Sequence, residues 1–400
     1  MGRKNRTVPI FVRTLEEREV ANIPQGGRQR LIPLDALRGL IMMLMAVDHA
    51  NYFVAKSHPT GEFWGISLPR YESAWAFLTR VITHPCAPGF FFLMAVSMIL
   101  FRESRTRHGW TEGRIRRHLL TRGLILIGLQ FFLENPAWAM GPSNRMAPPG
   151  EGGRVWIHFG VLFALGSAMI IAALFLRAKS SLILGASVAV LIGTHLLIPD
   201  ASLAGRPFAP WLRILFIPGK TGSLQVFYPA LPWLSITGFG LVFGRWIRRD
   251  DSEAYQRGLL AGLIMLGLFA LLRMLNLGDF HRLESAGWME VLNVTKYPPS
   301  AAYIFLTLGT NLLALYLISR IRTLDQFWSK PLLVFGRTAL FFYLAHMYFF
   351  ALAGFFFPKG SGFFIMYAVW LGSLVVLYPL CAAYLGFKQR QPVESIWRFF

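Results

Sequence analysis

Arg30–His49 reads RLIPLDALRGLIMMLMAVDH, an apolar run entered through Asp35 and Arg38 and left through the adjacent pair Asp48-His49. Ionisable side chains at membrane depth are costly, and where they occur they commonly mark a site of use. Two further histidines answer this pair from other apolar runs, His84 in Thr83-His84-Pro85-Cys86-Ala87-Pro88 and His346 in Tyr343-Leu344-Ala345-His346. The plainer reading of each is a satisfied histidine that pins helices together, since a carboxylate orients an imidazole wherever the two meet.

Composition sets the class. Of the 400 residues 54% are hydrophobic and only 15% charged, and the mean hydropathy is +0.47. That leaves too little polar surface for a soluble protein of this length. Apolar runs of crossing length recur at about 37–55, 77–101, 119–135, 155–177, 181–198, 225–246, 256–274, 297–319, 332–356 and 364–386. The expected fold is all-α, a polytopic transmembrane helical bundle of about ten spans. Its expected organisation is a basic cytoplasmic tail over 1–29, a transmembrane domain over 30–387 and a C-terminal tail over 388–400.

The net charge of +20 is distributed as topology rather than as a nucleic-acid surface. Most Lys and Arg fall in 1–38, 102–122, 177–180, 245–257, 320–330 and 388–400. The positive-inside bias therefore assigns both termini to the cytoplasm. Basic loops of this kind meet anionic lipid head groups, so membrane lipids are expected partners and nucleic acid is not. The first 30 residues lack the apolar core of a cleavable signal. Cys86 and Cys381 lie inside apolar runs and support neither a disulfide framework nor a thiolate metal site. The histidines come from separate helices without short ligand spacing, so no metal is expected.

The loops assigned outside, 58–75, 134–154, 200–224 and 277–296, are long and rich in Pro, Gly and aromatics, as binding surfaces and lids tend to be. By depth, Asp48, His49, Arg80, His84 and His346 gather toward the outer half, while Asp35, Arg38 and Arg337 lie toward the cytoplasm. His84 opens a Pro-Cys-Ala-Pro break of the sort tolerated at membrane depth where it is buried or lines a cavity. Glu134, His158 and His195 fall near the interface, where packing is the better reading, and His58 sits in an outer loop without a clear role.

Several motifs together resemble the heparan-α-glucosaminide N-acetyltransferase-like membrane family, most closely its bacterial branch. They are Arg30–Gly39, Val47-Asp48-His49, Thr79–Pro88, Tyr228-Pro229-Ala230-Leu231-Pro232-Trp233, Tyr297-Pro298-Pro299-Ser300 with Thr307-Leu308-Gly309, and Gly336–His346. The resemblance covers roughly residues 30–385, and the joint occurrence is more specific than any single motif. It implies transfer of an acyl group, taken as acetyl, from cytoplasmic acetyl-CoA to an amine or hydroxyl of an envelope sugar or glycolipid outside. It also implies a bacterial cytoplasmic membrane location and is compatible with a homodimer. In that frame His49 and His84 are candidate bases, with Asp48 as orienting carboxylate. Asp35, Arg38, Arg80, Arg337, His346 and Tyr343 are candidate substrate or acyl-CoA contacts, and His58 and Asn311 are weaker ones. The family's lysosomal member places a functional histidine in its first outer loop; His58 is the counterpart on offer, but its spacing to the next helix does not align. A proton-coupled or other small-molecule transporter is the alternative that buried histidines and acids also allow.

Overall fold

The computed structural model describes residues 31–58, 61–142, 148–152, 154–324, 326, 329–392 and 394–398. Pro33–Phe400 forms a compact unit; the tail expected over 1–29 lies outside the described residues. Each of the ten apolar runs holds a helix. The first is α1 (Ile32–Ala50), continued by a π-turn, Asn51–Ala55. Then come α2 (Ala74–Val81), α3 (Cys86–Arg107) and α4 (Glu112–Leu129), which passes through a π-turn, Gln130–Glu134, into α5 (Asn135–Ala139). The series continues with α6 (Val161–Leu174), α7 (Ser180–Leu197), the short α8 (Pro210–Leu215), α9 (Leu234–Arg249) and α10 (Asp251–Met274). It closes with α11 (Trp288–Leu292), α12 (Ala301–Ser319), α13 (Lys330–Arg337), α14 (Ala339–Ala353) and α15 (Phe363–Arg390).

Helix starts follow local chemistry. Thr111, Asp250 and Ser300 each accept a backbone N–H three residues on, at 3.3, 2.8 and 3.0 Å, which satisfies one of the donors a helix leaves open at its start. Among the described residues six helical segments are long and apolar enough to cross a membrane: Ala74–Arg107, Ser180–Leu197, Asp251–Met274, Ala301–Ser319, Ala339–Phe356 and Phe363–Arg390. The other expected spans fall short for physical reasons. Three charges, Asp35, Arg38 and Asp48, interrupt α1, and Glu112, Arg114, Arg116, Arg117 and Arg122 interrupt α4. At 14 and 16 residues, α6 and α9 are brief. Leu182, Leu196, Leu260, Leu263, Phe364 and Val375 point outward from α7, α10 and α15, as a surface facing lipid rather than water requires. The chain is a membrane protein.

One correction to an all-α fold is a small sheet built from two of the long loops. Its strands are β1 (Gly150–Glu151), β2 (Ile157–Phe159), β3 (Gly219–Thr221) and β4 (Leu224–Val226), in the order β1-β3-β4-β2. A tight β3–β4 hairpin pairs in parallel with the other two strands, satisfying loop backbone that no helix covers.

Helices approach closely where side chains are absent. A Cβ on Gly39 of α1 would lie 1.9 Å from the Leu332 carbonyl oxygen of α13, and one on Gly336 would lie 1.9 Å from that of Asp35. Small residues at such crossings let backbones meet and pack by van der Waals contact. The break between α2 and α3 is held by α12. Asn311 Nδ2 donates to the carbonyls of Pro85 (2.9 Å) and Thr307 (3.0 Å), and the Tyr303 hydroxyl donates to that of His84 (2.9 Å). Asn311 is thus a tie across the proline break and belongs to no cavity wall described below.

Candidate functional site

Asp48, near the last turn of α1, faces Arg80, near the end of α2. Arg80 Nη1 donates to Asp48 Oδ1 at 2.5 Å. The same guanidinium grips Glu62 with both remaining nitrogens, Nε to Oε1 at 2.6 Å and Nη2 to Oε2. Arg80 and Glu62 are each 1% exposed. A bidentate arginine fork is the arrangement that best repays the desolvation of a buried charge pair. Burial raises the Glu62 carboxyl, but Arg80 and His84 outweigh it and hold Glu62 well below the usual carboxylate range. His84 Nε2 meets Glu62 Oε1 at 3.0 Å, and Thr83 donates its hydroxyl to Asp48 Oδ1 at 3.1 Å.

His58 folds back over this cluster. Its Nε2 lies 3.1 Å from Asp48 Oδ1 and 3.0 Å from Arg80 Nη1, and its Nδ1 is buried without a partner. Nε2 thus sits between an acceptor, Asp48, and a donor, Arg80: where Nε2–H is donated to the carboxylate Nδ1 carries the lone pair, and where Nε2 accepts from Arg80 the proton is on Nδ1.

A second imidazole pair stands next to it. His346 Nδ1 lies 2.8 Å from the Phe342 carbonyl, which can only accept, so Nδ1 bears the proton and Nε2 the lone pair. His49 Nδ1, 2.7 Å from His346 Nε2, must then donate. The unprotonated nitrogen of His49 is therefore Nε2. Trp138 and Tyr343 stand edge-on to the His49 ring, at 5.4 and 6.2 Å between centroids.

The two groups meet at one cavity of ≈ 70 Å³, which Arg80, Glu62, His84 and His346 do not line. Asp48, His49, His58 and Thr83 line it with Glu134, Trp138, His158, Tyr228, Lys296, Tyr297 and Tyr343. Its floor is apolar, from Met45, Cys86, Ala87 and Phe90. Glu134 ends the π-turn after α4 and accepts from Trp138 Nε1 at 3.1 Å, with the Tyr343 hydroxyl close to its carboxyl. His158 is carried over the cavity by β2, where it pairs with Gln225 of β4. Burial pushes His158 down to about 4, so it is neutral at pH 7. Lys296 is set by the loop backbone: its N–H and that of Tyr297 both donate to the Glu62 carbonyl at 3.0 Å, and Trp64 N–H donates to the Tyr297 carbonyl at 2.9 Å. Asp279 locks that loop, accepting from the Thr295 N–H (3.0 Å) and from the hydroxyls of Thr295 and Ser300 (both 2.7 Å).

The structure thus brings Asp48, His49, His58, His346 and Tyr343 to one place. His84 and Arg80 lie behind it, buried and committed to Glu62 and Asp48. Asp35, Arg38 and Arg337 form a separate knot at the other end of α1. Arg38 donates to Asp35 at 3.0 Å and to Ser97 at 2.9 Å, and Arg337 Nε lies 3.4 Å from Asp35 Oδ2. Reading the sequence alone overlooked Glu62 and Lys296 and set Glu134 and His158 aside as interfacial. Both overlooked residues sit in long aromatic- and Pro-rich loops, and a charge inside such a loop was the available signal. Among the described residues no set of three or more His, Cys, Asp or Glu side chains is disposed to hold a metal.

A family model described as Heparan-alpha-glucosaminide N-acetyltransferase, catalytic, matches residues 30–275. The match takes in Asp48, His49, His58, Glu62, Arg80, His84, Glu134 and His158, and ends before Lys296, Arg337, Tyr343 and His346. No curated protein matches the chain.

Proposed function

The chain belongs to the heparan-alpha-glucosaminide N-acetyltransferase catalytic family, and from that premise we propose that it is an integral membrane acyltransferase of about ten spans with both termini cytoplasmic. It takes an acetyl group from cytoplasmic acetyl-CoA and delivers it to an amine or hydroxyl of an envelope sugar or glycolipid on the far side of a bacterial cytoplasmic membrane. The observation that carries this reading is the cavity lined by both a carboxylate-paired histidine, His58, and His49, whose Nε2 carries a lone pair. Support for the sidedness comes from the charge bias of the loops.

In this reading the acceptor N–H or O–H attacks the thioester carbonyl carbon. His58 Nδ1 takes the acceptor's proton as the new C–N or C–O bond forms. Asp48 stabilises the imidazolium, which a neutral partner such as His346 does less well for His49. Lys296 Nζ supplies N–H donors to the carbonyl oxygen as it gains charge. The C–S bond then breaks and the CoA thiolate leaves with the proton returned by His58. His49 accepts a hydrogen bond from the acceptor and fixes its approach, and Tyr343 and Trp138 wall the acyl group. Arg80, Glu62 and His84 hold Asp48 in place and touch no substrate.

The test is thiol release from acetyl-CoA by the purified protein with an amino-sugar acceptor. Release that depends on both substrates and is lost in His58→Gln is expected. No release with any amine or hydroxyl sugar would overturn the enzyme reading and favour a transporter.

A further inference from the structure

A second cavity, of ≈ 370 Å³, opens at the opposite end of α3 from Cys86. Arg102 and Glu103 of α3 form one wall. The turn between α6 and α7 contributes Arg177 and Lys179, and the end of α9 contributes Arg245, Arg248 and Arg249. Six cationic side chains thus surround a space with one carboxylate on its wall.

That carboxylate is already shared, since Glu103 accepts from Arg107 at 2.8 Å and from Arg248 at 3.3 Å. Arg102 is held by Glu112 at 2.7 Å. Arg245 is aimed by Ser180 Oγ (2.9 Å) and the Leu176 carbonyl (3.0 Å). Among the described residues Arg177, Lys179 and Arg249 have no carboxylate within ion-pair distance. Like charges gathered from three chain segments repel one another, and an anion placed among them removes that cost. Arginine forks match phosphate oxygens two at a time, and several of them suit more than one phosphate group.

Helix α3 ties this cavity to the candidate active site. Phe90 lines one and Arg102 the other, and the residues between them span about 18 Å of helix at 1.5 Å per residue. A ligand that used both places would carry its phosphates and its reactive group at opposite ends of a long, thin arm.

We propose that this cavity binds phosphate groups, and that its occupant is the nucleotide end of the acyl donor. The assignment to the donor rests on the acyl-transfer reading above. The head group of an anionic phospholipid offers the same chemistry, and the experiment separates the two. The full-length protein in neutral detergent is titrated with adenosine 3′,5′-bisphosphate, then reconstituted in phosphatidylcholine nanodiscs with and without phosphatidylglycerol to measure bound phosphatidylglycerol by mass spectrometry. Both measurements are repeated on Arg177→Gln/Lys179→Gln, with Arg249→Gln on the facing wall as a second variant should the first not fold.

The expected result is bisphosphate binding that weakens about a hundredfold in the double variant, about tenfold per lost charge-assisted contact. The unfolding midpoint is unchanged and the KM for acetyl-CoA rises. Undiminished bisphosphate binding in the variants, or no binding of either phosphate compound by the wild type, overturns the site. Loss of phosphatidylglycerol alone, with no nucleotide binding, overturns the donor assignment and leaves a lipid site. A protein that binds bisphosphate here yet releases no thiol overturns the acyl-transfer function and leaves the phosphate site standing.

Discussion

Replacing Arg80 by Gln removes the only guanidinium in contact with Asp48 and Glu62 among the described residues. Arg80 and Glu62 are each 1% exposed, so the two carboxylates are left facing each other with little solvent to screen them. Breaking a buried pair from one side costs about 3–5 kcal/mol, because the remaining charge is uncompensated. An exposed helical pair such as Arg257–Glu253, at 2.5 Å, contributes about 0.3–0.5 kcal/mol by contrast. The assay is reversible unfolding in mixed detergent–SDS micelles, comparing Arg80→Gln with Arg257→Gln. Adding Glu62→Gln to Arg80→Gln removes one of the stranded charges, so the double variant is expected to lose about 1–3 kcal/mol less than the sum of the singles. A loss below about 1 kcal/mol for Arg80→Gln, or strict additivity in the double, would refute a buried, coupled cluster.

Other consequences follow from single contacts. Gly336→Ala drives a methyl group to 1.9 Å from the Asp35 carbonyl oxygen and is expected to cost at least about 1–3 kcal/mol on the same unfolding assay; a neutral result would mean that α1 and α13 do not touch. His158 titrates near 4 when folded against about 6.5 when unfolded, so its contribution to stability is whole above that upper value and falls as pH drops toward the lower one. His158→Gln should flatten the unfolding midpoint between roughly pH 7 and 5, and an unchanged slope would contradict its burial. His346→Gln weakens the partner that fixes the His49 tautomer, and kcat is expected to fall about tenfold with the KM for acetyl-CoA unchanged; a rise in KM alone would give His346 a binding role.

Helix positions were readable because apolar runs and polar caps are local signals. Asp48 and His49 stood out for the same reason, as charges where lipid should be. The sheet was not legible, since its short strands carry no periodicity and exist only because two distant loops meet. His58 was ranked last on spacing, yet the turn after α1 carries it back over Asp48. Sequence distance says little once a chain reverses within a few residues. His84 looked catalytic beside its proline break, and the structure gives it a carboxylate partner, Glu62, that no spacing rule connects to it. Lys296 showed locally only as a charge in a long loop, and its place at the cavity comes from loop backbone hydrogen bonds to Glu62.

The measurement closest to the central claim is single-turnover transfer of labelled acetyl from acetyl-CoA to an amino-sugar acceptor, by wild type, His58→Gln, Asp48→Asn and His49→Gln. The account predicts transfer by the wild type, a loss of about 10²–10⁴-fold in His58→Gln, a substantial loss in Asp48→Asn and a smaller one in His49→Gln. Wild-type rates in His58→Gln with transfer abolished in His49→Gln would move the base to His49. Full transfer in both histidine variants would contradict the account.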